Sequence, residues 1–229
     1  MVPVLDTFET EKLFAAKLKD LCLATGGSSQ LLNRFQEMLS ETSINRSLCL
    51  REMNIGLNTA EVLRELLQFN YKISHLDLCK NMLGDKGVKI LAQAFLKSKS
   101  LVSVNLGSNE ITVQGVCILL KALTLNESID KIDLSTEDGI QRNRIFSATD
   151  LSGIDALKDF IVQNKFCHQL KLRGVSLGVQ GFDRILEAFN ESAKLNQVIL
   201  EQAEAKEKAE RDYLQSELEV KDRDNFAMT

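Results

Sequence analysis

Short apolar pairs recur along this 229-residue chain in a fixed register: Leu48/Leu50, Leu76/Leu78, Val104/Leu106, Ile132/Leu134, Leu170/Leu172 and Val198/Leu200, at spacings of 28, 28, 28, 38 and 28 residues. Other columns keep step with them. An apolar residue stands three places before the first member at Ile73, Leu101, Ile129, Cys167 and Leu195. Another follows seven places after it at Ile55, Leu83, Ile111 and Leu177, with Ile145 in that role in the longer fourth unit. A small residue comes next (Thr59, Gly87, Gly115, Gly153, Gly181), then apolar residues four apart at Leu63/Leu67, Leu91/Phe95, Leu119/Leu123, Leu157/Ile161 and Ile185/Phe189. Self-similarity of this kind is the signature of a stacked-repeat architecture.

Each column has a physical task. In Ser74-His75-Leu76-Asp77-Leu78 aliphatic and polar residues alternate, the pattern of a short strand buried on one face. Asn81, Asn109 and Asn143 stand where the chain turns out of the strand, and a buried amide side chain there satisfies the loop's backbone groups. The glycine column lets the next helix approach closely, and the i, i+4 pairs form the inward stripe of a helix of about three turns. Asn70, Ser98, Asn126, Asn164 and Ser192 close those helices. One strand and one helix per unit cannot bury an apolar face alone, so the units must stack into a solenoid.

Val104-Asn105-Leu106-Gly107-Ser108-Asn109-Glu110-Ile111 through Gly115, and Leu76 through Gly87, meet the pattern L-x-L-x-x-N-x-L-x-x-x-G nearly in full. On these residues the chain resembles leucine-rich-repeat proteins of the long-repeat, ribonuclease-inhibitor-like type, over residues 44–200. The resemblance implies an α/β horseshoe fragment: a parallel concave sheet of about six short strands, helices on the convex side, and about five repeats plus a final strand. Met53 in the first unit and Val175 in the fifth depart from the Asn column, so those two loops are expected to be looser.

A solenoid's open ends expose its core and need covers. Residues 1–43 read as an N-terminal helical cap. Asp6-Thr7-Phe8-Glu9 is capping-box-like, Leu13, Phe14, Leu18 and Leu21 share a helical face, and a second helix carries Leu31, Leu32, Phe35, Met38 and Leu39. Residues 201–229 read as a charged C-terminal helix and tail with a thin apolar stripe at Ala205, Ala209, Tyr213, Leu214 and Leu218. That segment either folds over the last repeat or serves self- or hetero-association.

The net charge of −4 sits in the tail, which has nine acids against five bases, whereas residues 1–200 hold 23 of each sign. A neutral body lacks the clustered basic charge that nucleic acid and anionic membranes require, so neither is an expected partner. No apolar run approaches the ~20 residues needed to cross a bilayer, and the start lacks a basic-then-apolar leader, which together suggest an intracellular, cytoplasmic location; a cytoskeletal or ciliary one is implied only by the resemblance to repeat proteins of such assemblies. Five cysteines form an odd set without a C-x-x-C pair, so neither a disulfide framework nor a zinc site is expected.

The chain has two histidines, His75 and His168, and none of the usual protease, nucleophile-elbow, phosphate-cradling or dinucleotide signatures. No catalytic residue, metal or cofactor is assigned. Asp77 and Asp133 lie two strands apart, about 10 Å, too far for most two-carboxylate catalysis. What remains is surface. Outward strand positions place Arg51, His75, Asp77, Asn105, Lys131, Asp133, Lys171 and Arg173 on the concave face as candidates for binding a protein partner. The strip Asp77, Asn105, Asp133 is acidic and polar, and Lys171 and Arg173 turn it basic, which suits a partner of mixed charge. The extra ten residues near 135–150 form a second candidate, a rim carrying Glu137, Asp138, Arg142 and Arg144.

These features indicate a non-catalytic protein-interaction module or scaffold. An alternative is a structural subunit of a cytoskeletal or ciliary assembly. Five units and a terminal helix are similar to the repeat domain of the actin-capping tropomodulins, although the cap starts too near Met1 to leave room for that family's N-terminal binding segments. A remoter likeness, at fold level, is to the repeat-built activator of the Ran GTPase, which would make Arg142 or Arg144 a transition-state contact.

Overall fold

The structure, a computed structural model, describes residues 46–68, 73–137, 142–147, 149–191 and 197–199, with single positions at 16, 33 and 37. Apart from those three positions, the N-terminal cap expected at 1–43 lies outside the described residues, as do Asn70, Asp138, Ser192 and the segment 201–229.

Strands and helices alternate in the order β1 (Arg46–Cys49), α1 (Leu57–Gln68), β2 (Ile73–Asp77), α2 (Gly84–Lys97), β3 (Ser103–Asn105), α3 (Val113–Thr124), β4 (Lys131–Asp133), α4 (Ser152–Gln163), β5 (Gln169–Lys171), α5 (Gly178–Glu191) and β6 (Gln197–Ile199). The six strands make one parallel sheet in chain order, since each strand is joined to the next through a helical crossover. The pairing register is the repeat register: Leu76 faces Val104, Val104 faces Ile132, Ile132 faces Leu170, and Leu170 faces Val198. Leu50, Leu78, Leu106 and Leu134 fall just past the strand ends. They extend the ladder, each N–H donating to the carbonyl of Asp77, Asn105, Asp133 or Lys171 at 2.8–2.9 Å. One continuous core runs from Leu48 to Ala188 between sheet and helices.

Asparagines lace the units together at both ends of the strands. Asn81 Nδ2 donates to the carbonyls of Leu50 and Leu78, and its Oδ1 accepts the N–H groups of Met53 and Ile55. Asn143 repeats this two units further on, between Leu106 and Leu134 and the N–H groups of Asn109 and Ile111. At the helix C-termini, Asn126 reaches back to Phe95 and Ser98, and Asn164 to Leu123 and Asn126. Each of these side chains closes its own unit and also the one before.

That double role corrects one expectation. The first loop lacks its own Asn, yet it is not loose, because Asn81 of the next unit holds both Met53 and Ile55. The fifth unit manages without Asn by another route. Gly174 takes a left-handed φ of 70° and lies so close to the Thr136 carbonyl that an added Cβ would fall 2.3 Å from that oxygen. Thr136 N–H donates to the Arg173 carbonyl, and Ser135 Oγ accepts from Arg173 N–H.

Candidate functional site

The outward strand positions form a grid. One row is His75, Ser103, Lys131 and Gln169; the next is Asp77, Asn105, Asp133 and Lys171. With Ser47 they line a shallow hollow of about 360 Å³ on the open face of the sheet. The structure therefore brings together six of the residues singled out from sequence: His75, Asp77, Asn105, Lys131, Asp133 and Lys171.

Three of them also have a structural task that periodicity does not reveal. The side-chain oxygens of Asp77, Asn105 and Asp133 each accept the N–H two residues on, from Cys79, Gly107 and Ser135, at 2.9 Å. These Asx turns steer the chain out of the strand. The signal in the sequence is Asp or Asn at the same place in three successive units; Cys49 and Lys171, at that place in the first and fifth, cannot serve. Beyond those turns, Asp77, Asp133, Lys131 and Lys171 form no salt bridge among the described residues, so the hollow presents two carboxylates and two ammonium groups outward.

Arg51 and Glu137, which the sequence placed on two separate surfaces, meet each other. Arg51 Nη2 donates to both oxygens of Glu137 at 2.8 Å, and Lys80 Nζ stands 2.9 Å from the same carboxylate. Glu52 completes the cluster, 3.1 Å from Lys80 and 3.5 Å from Arg51. Glu137 N–H donates to Ser108 Oγ, so the start of the insertion folds back across the strand ends toward the first unit. Gly107 makes room beneath, because a Cβ there would lie 3.0 Å from the Ser135 carbonyl and 3.3 Å from Cys79 Sγ.

The electrostatics follow from these contacts. The Arg51 hydrogen bond, then that of Lys80, hold the Glu137 carboxyl down at about 2. The same bond to Glu137 raises Arg51. Hydrogen bonding to Lys80 lowers Glu52, and bonding to Glu137 raises Lys80. Burial pushes the Cys79 thiol beside them up to about 12, leaving it an inert thiol.

The remaining candidates are dispersed. Arg144 is exposed where the chain rejoins the unit, its N–H on the Ile111 carbonyl. Arg142 and Arg173 are engaged within the chain. His75 Nδ1 pairs with Ser74 Oγ at 2.7 Å. His168 has no acidic neighbour in sequence, but stacking supplies one: Asp130 Oδ1 lies 2.7 Å from its Nδ1. Among the described residues no group of three or more His, Cys, Asp or Glu is placed to hold a metal ion, and no helix is long and apolar enough to cross a membrane.

No family model matches the chain. It is 26 % identical to the centrosomal protein of 78 kDa of Mus musculus over 182 residues, 73 % of this chain and 23 % of that protein. It is 24 % identical to the ribonuclease inhibitor of Mus musculus over 233 aligned positions, 81 % of this chain and 49 % of the inhibitor. The chain thus spans half or less of the length of these relatives. Among solved structures it is similar to the actin-binding site 2 of leiomodin-1, with a TM-score of 0.51 at 16 % identity, covering 75 % of this chain and 88 % of that one. With the repeat register, these likenesses make the fold leucine-rich-repeat-like.

Proposed function

We propose that this chain is a non-catalytic protein-binding module whose sheet hollow takes a partner of mixed charge. The observation that carries this reading is how the charges sort. Arg51, Glu52, Lys80 and Glu137 neutralise one another at the strand ends, whereas Asp77, Asp133, Lys131 and Lys171 face outward over the hollow without salt bridges among the described residues. Outward, unneutralised charge of both signs on a rigid grid selects partners by complementarity. A likeness to a ribonuclease inhibitor, a protein whose name denotes binding to another protein, supports the same reading.

The test captures partners from cell extract on the full chain and on two variants. Lys131→Glu with Lys171→Glu inverts the basic half of the hollow. Asp77→Asn with Asp133→Asn removes the acidic charge and keeps the turn acceptors, as Asn105 does naturally. A partner retained by the wild type and by Glu110→Gln, an exposed change outside the hollow, but lost from both hollow variants supports the reading. Capture unaffected by either hollow variant overturns it.

A second reading, a subunit of a cytoskeletal or centrosomal assembly, draws on the match to a centrosomal protein over 73 % of the chain and on the fold likeness to an actin-binding site. A stoichiometric complex that survives purification, with the tagged chain at the centrosome in cells, distinguishes it from a transient cytoplasmic partner.

A further inference from the structure

One row of outward positions in the hollow crosses the strands in strict register: Asp77 faces Asn105, Asn105 faces Asp133, and Asp133 faces Lys171. Adjacent strands stand about 4.8 Å apart, so these side chains rise from points at roughly 0, 5, 10 and 14 Å along a line perpendicular to the strands. All of them are half-buried.

The turns decide what each position offers. Asp77 and Asp133 each use Oδ1 to accept the N–H two residues on, and keep Oδ2 for a partner. Asn105 uses its Oδ1 in the same way, so the group it offers outward is the Nδ2 donor. Lys171, which lines the hollow with them, enters no salt bridge among the described residues. The row therefore reads acceptor, donor, acceptor, cation. Its complement is base, carbonyl or hydroxyl, base, acid at the same spacing.

Spacing decides between a strand and a helix as the element that carries this complement. Along a strand, side chains on one face recur every ~6.7 Å, so three steps reach ~20 Å, well beyond the end of the row. On an α-helix, residues i, i+3, i+7 and i+10 share one narrow stripe and lie at ~0, 4.5, 10.5 and 15 Å along the axis, within about 1 Å of every position in the row. The steps of 3, 4 and 3 read the same from both ends, so the register fits a helix running in either direction.

From these observations we infer that the partner lays an amphipathic α-helix across the strands, with a basic side chain over Asp77, an amide or hydroxyl over Asn105, a second base over Asp133 and an acid over Lys171. This rests on the reading of the hollow as a binding face and names the kind of element that face takes. Lys131, two residues before Asp133 on the same strand, stands beside the row and admits a further acid on the flank of the same helix.

Fluorescence anisotropy with synthetic probes and the full chain tests it. The matched probe is an alanine-based peptide of about 20 residues, long enough to be helical in water, with Arg, Gln, Arg and Glu at i, i+3, i+7 and i+10. Two controls carry the same four residues, one with them redistributed around the helix and one with them at alternate positions of a Thr-rich extended chain. In low-salt buffer the chain is expected to bind the matched probe at least about tenfold more tightly than either control. Asp77→Asn with Asp133→Asn should abolish that preference, and Lys171→Glu should transfer it to a probe with Lys in place of the Glu. A matched probe that binds no better than the controls, or not at all, overturns the inference. So does a preference that survives the changes at Asp77 and Asp133 or fails to follow the charge swap at Lys171. Capture from extract separates the two levels: a partner that still depends on the hollow leaves the binding reading standing without the helix, whereas capture indifferent to the hollow removes both.

Discussion

Glu137 illustrates how much one side chain can organise when it collects partners from distant units. Its carboxylate holds Arg51 and Lys80, and its own backbone is held by Ser108. Its folded value near 2 lies below the ordinary 4.5, so the folded state resists protonation more than the unfolded one. The stabilisation is complete above pH 4.5 and disappears as pH falls toward 2. Because the side chain is 40 % exposed, screening limits it to about 1 kcal/mol. Glu137→Gln is therefore expected to lower the urea midpoint at pH 7 by an amount equivalent to about 1 kcal/mol, with the difference shrinking markedly at pH 2.5. An equal difference at both pH values would mean that shape, not charge, is responsible. None of this pairing was legible in the sequence: 86 residues separate Arg51 from Glu137, and the repeat register says nothing about the path of an insertion. The same holds for Asp130 and His168, which become neighbours only through stacking.

At the scale of the element, the glycine column has a sharper cause than close helix approach. Asp85 of one unit sits at the N-terminus of the next helix, where Thr112 donates to it through its N–H and its hydroxyl. A Cβ on Gly115 would lie 2.2 Å from that carboxylate oxygen and 2.9 Å from Ile111 Cγ2. Gly115→Ala should therefore cost about 2–3 kcal/mol in thermal or urea unfolding, and distinctly less when Asp85→Ala has already removed the carboxylate. Strict additivity of the two changes would show that the clash with Ile111 dominates. The strands and helices themselves were readable because their apolar spacing is redundant, repeated in every unit at Leu91/Phe95 and its counterparts. The outward grid followed from strand alternation. The turn-forming role of Asp77, Asn105 and Asp133 did not, because hydropathy does not distinguish a polar side chain that faces solvent from one that bonds its own backbone.

Over the whole molecule, a stack of repeats ordinarily communicates only between neighbours. The tie from Glu137 to Arg51 and Lys80 breaks that rule by joining the fourth unit to the first and second. Hydrogen exchange should report it: Glu137→Gln is expected to speed exchange of backbone amides in α1 and β1 more than in α4, which lies closer in sequence. A response confined to residues around the insertion would show that the tie carries no long-range stability. The asparagine ladders have a different consequence, one of timing. Asn81 completes the loop at Met53 and Ile55, Asn143 completes the one at Asn109 and Ile111, and Asn126 and Asn164 reach back in the same direction. On a ribosome that adds about 5–20 residues per second, each laced unit stays unfinished until its successor emerges. Nascent units are thus exposed for seconds in a fixed order, and at Val175, which has no side-chain amide, the backbone of Arg173 takes over the task of completing the unit before.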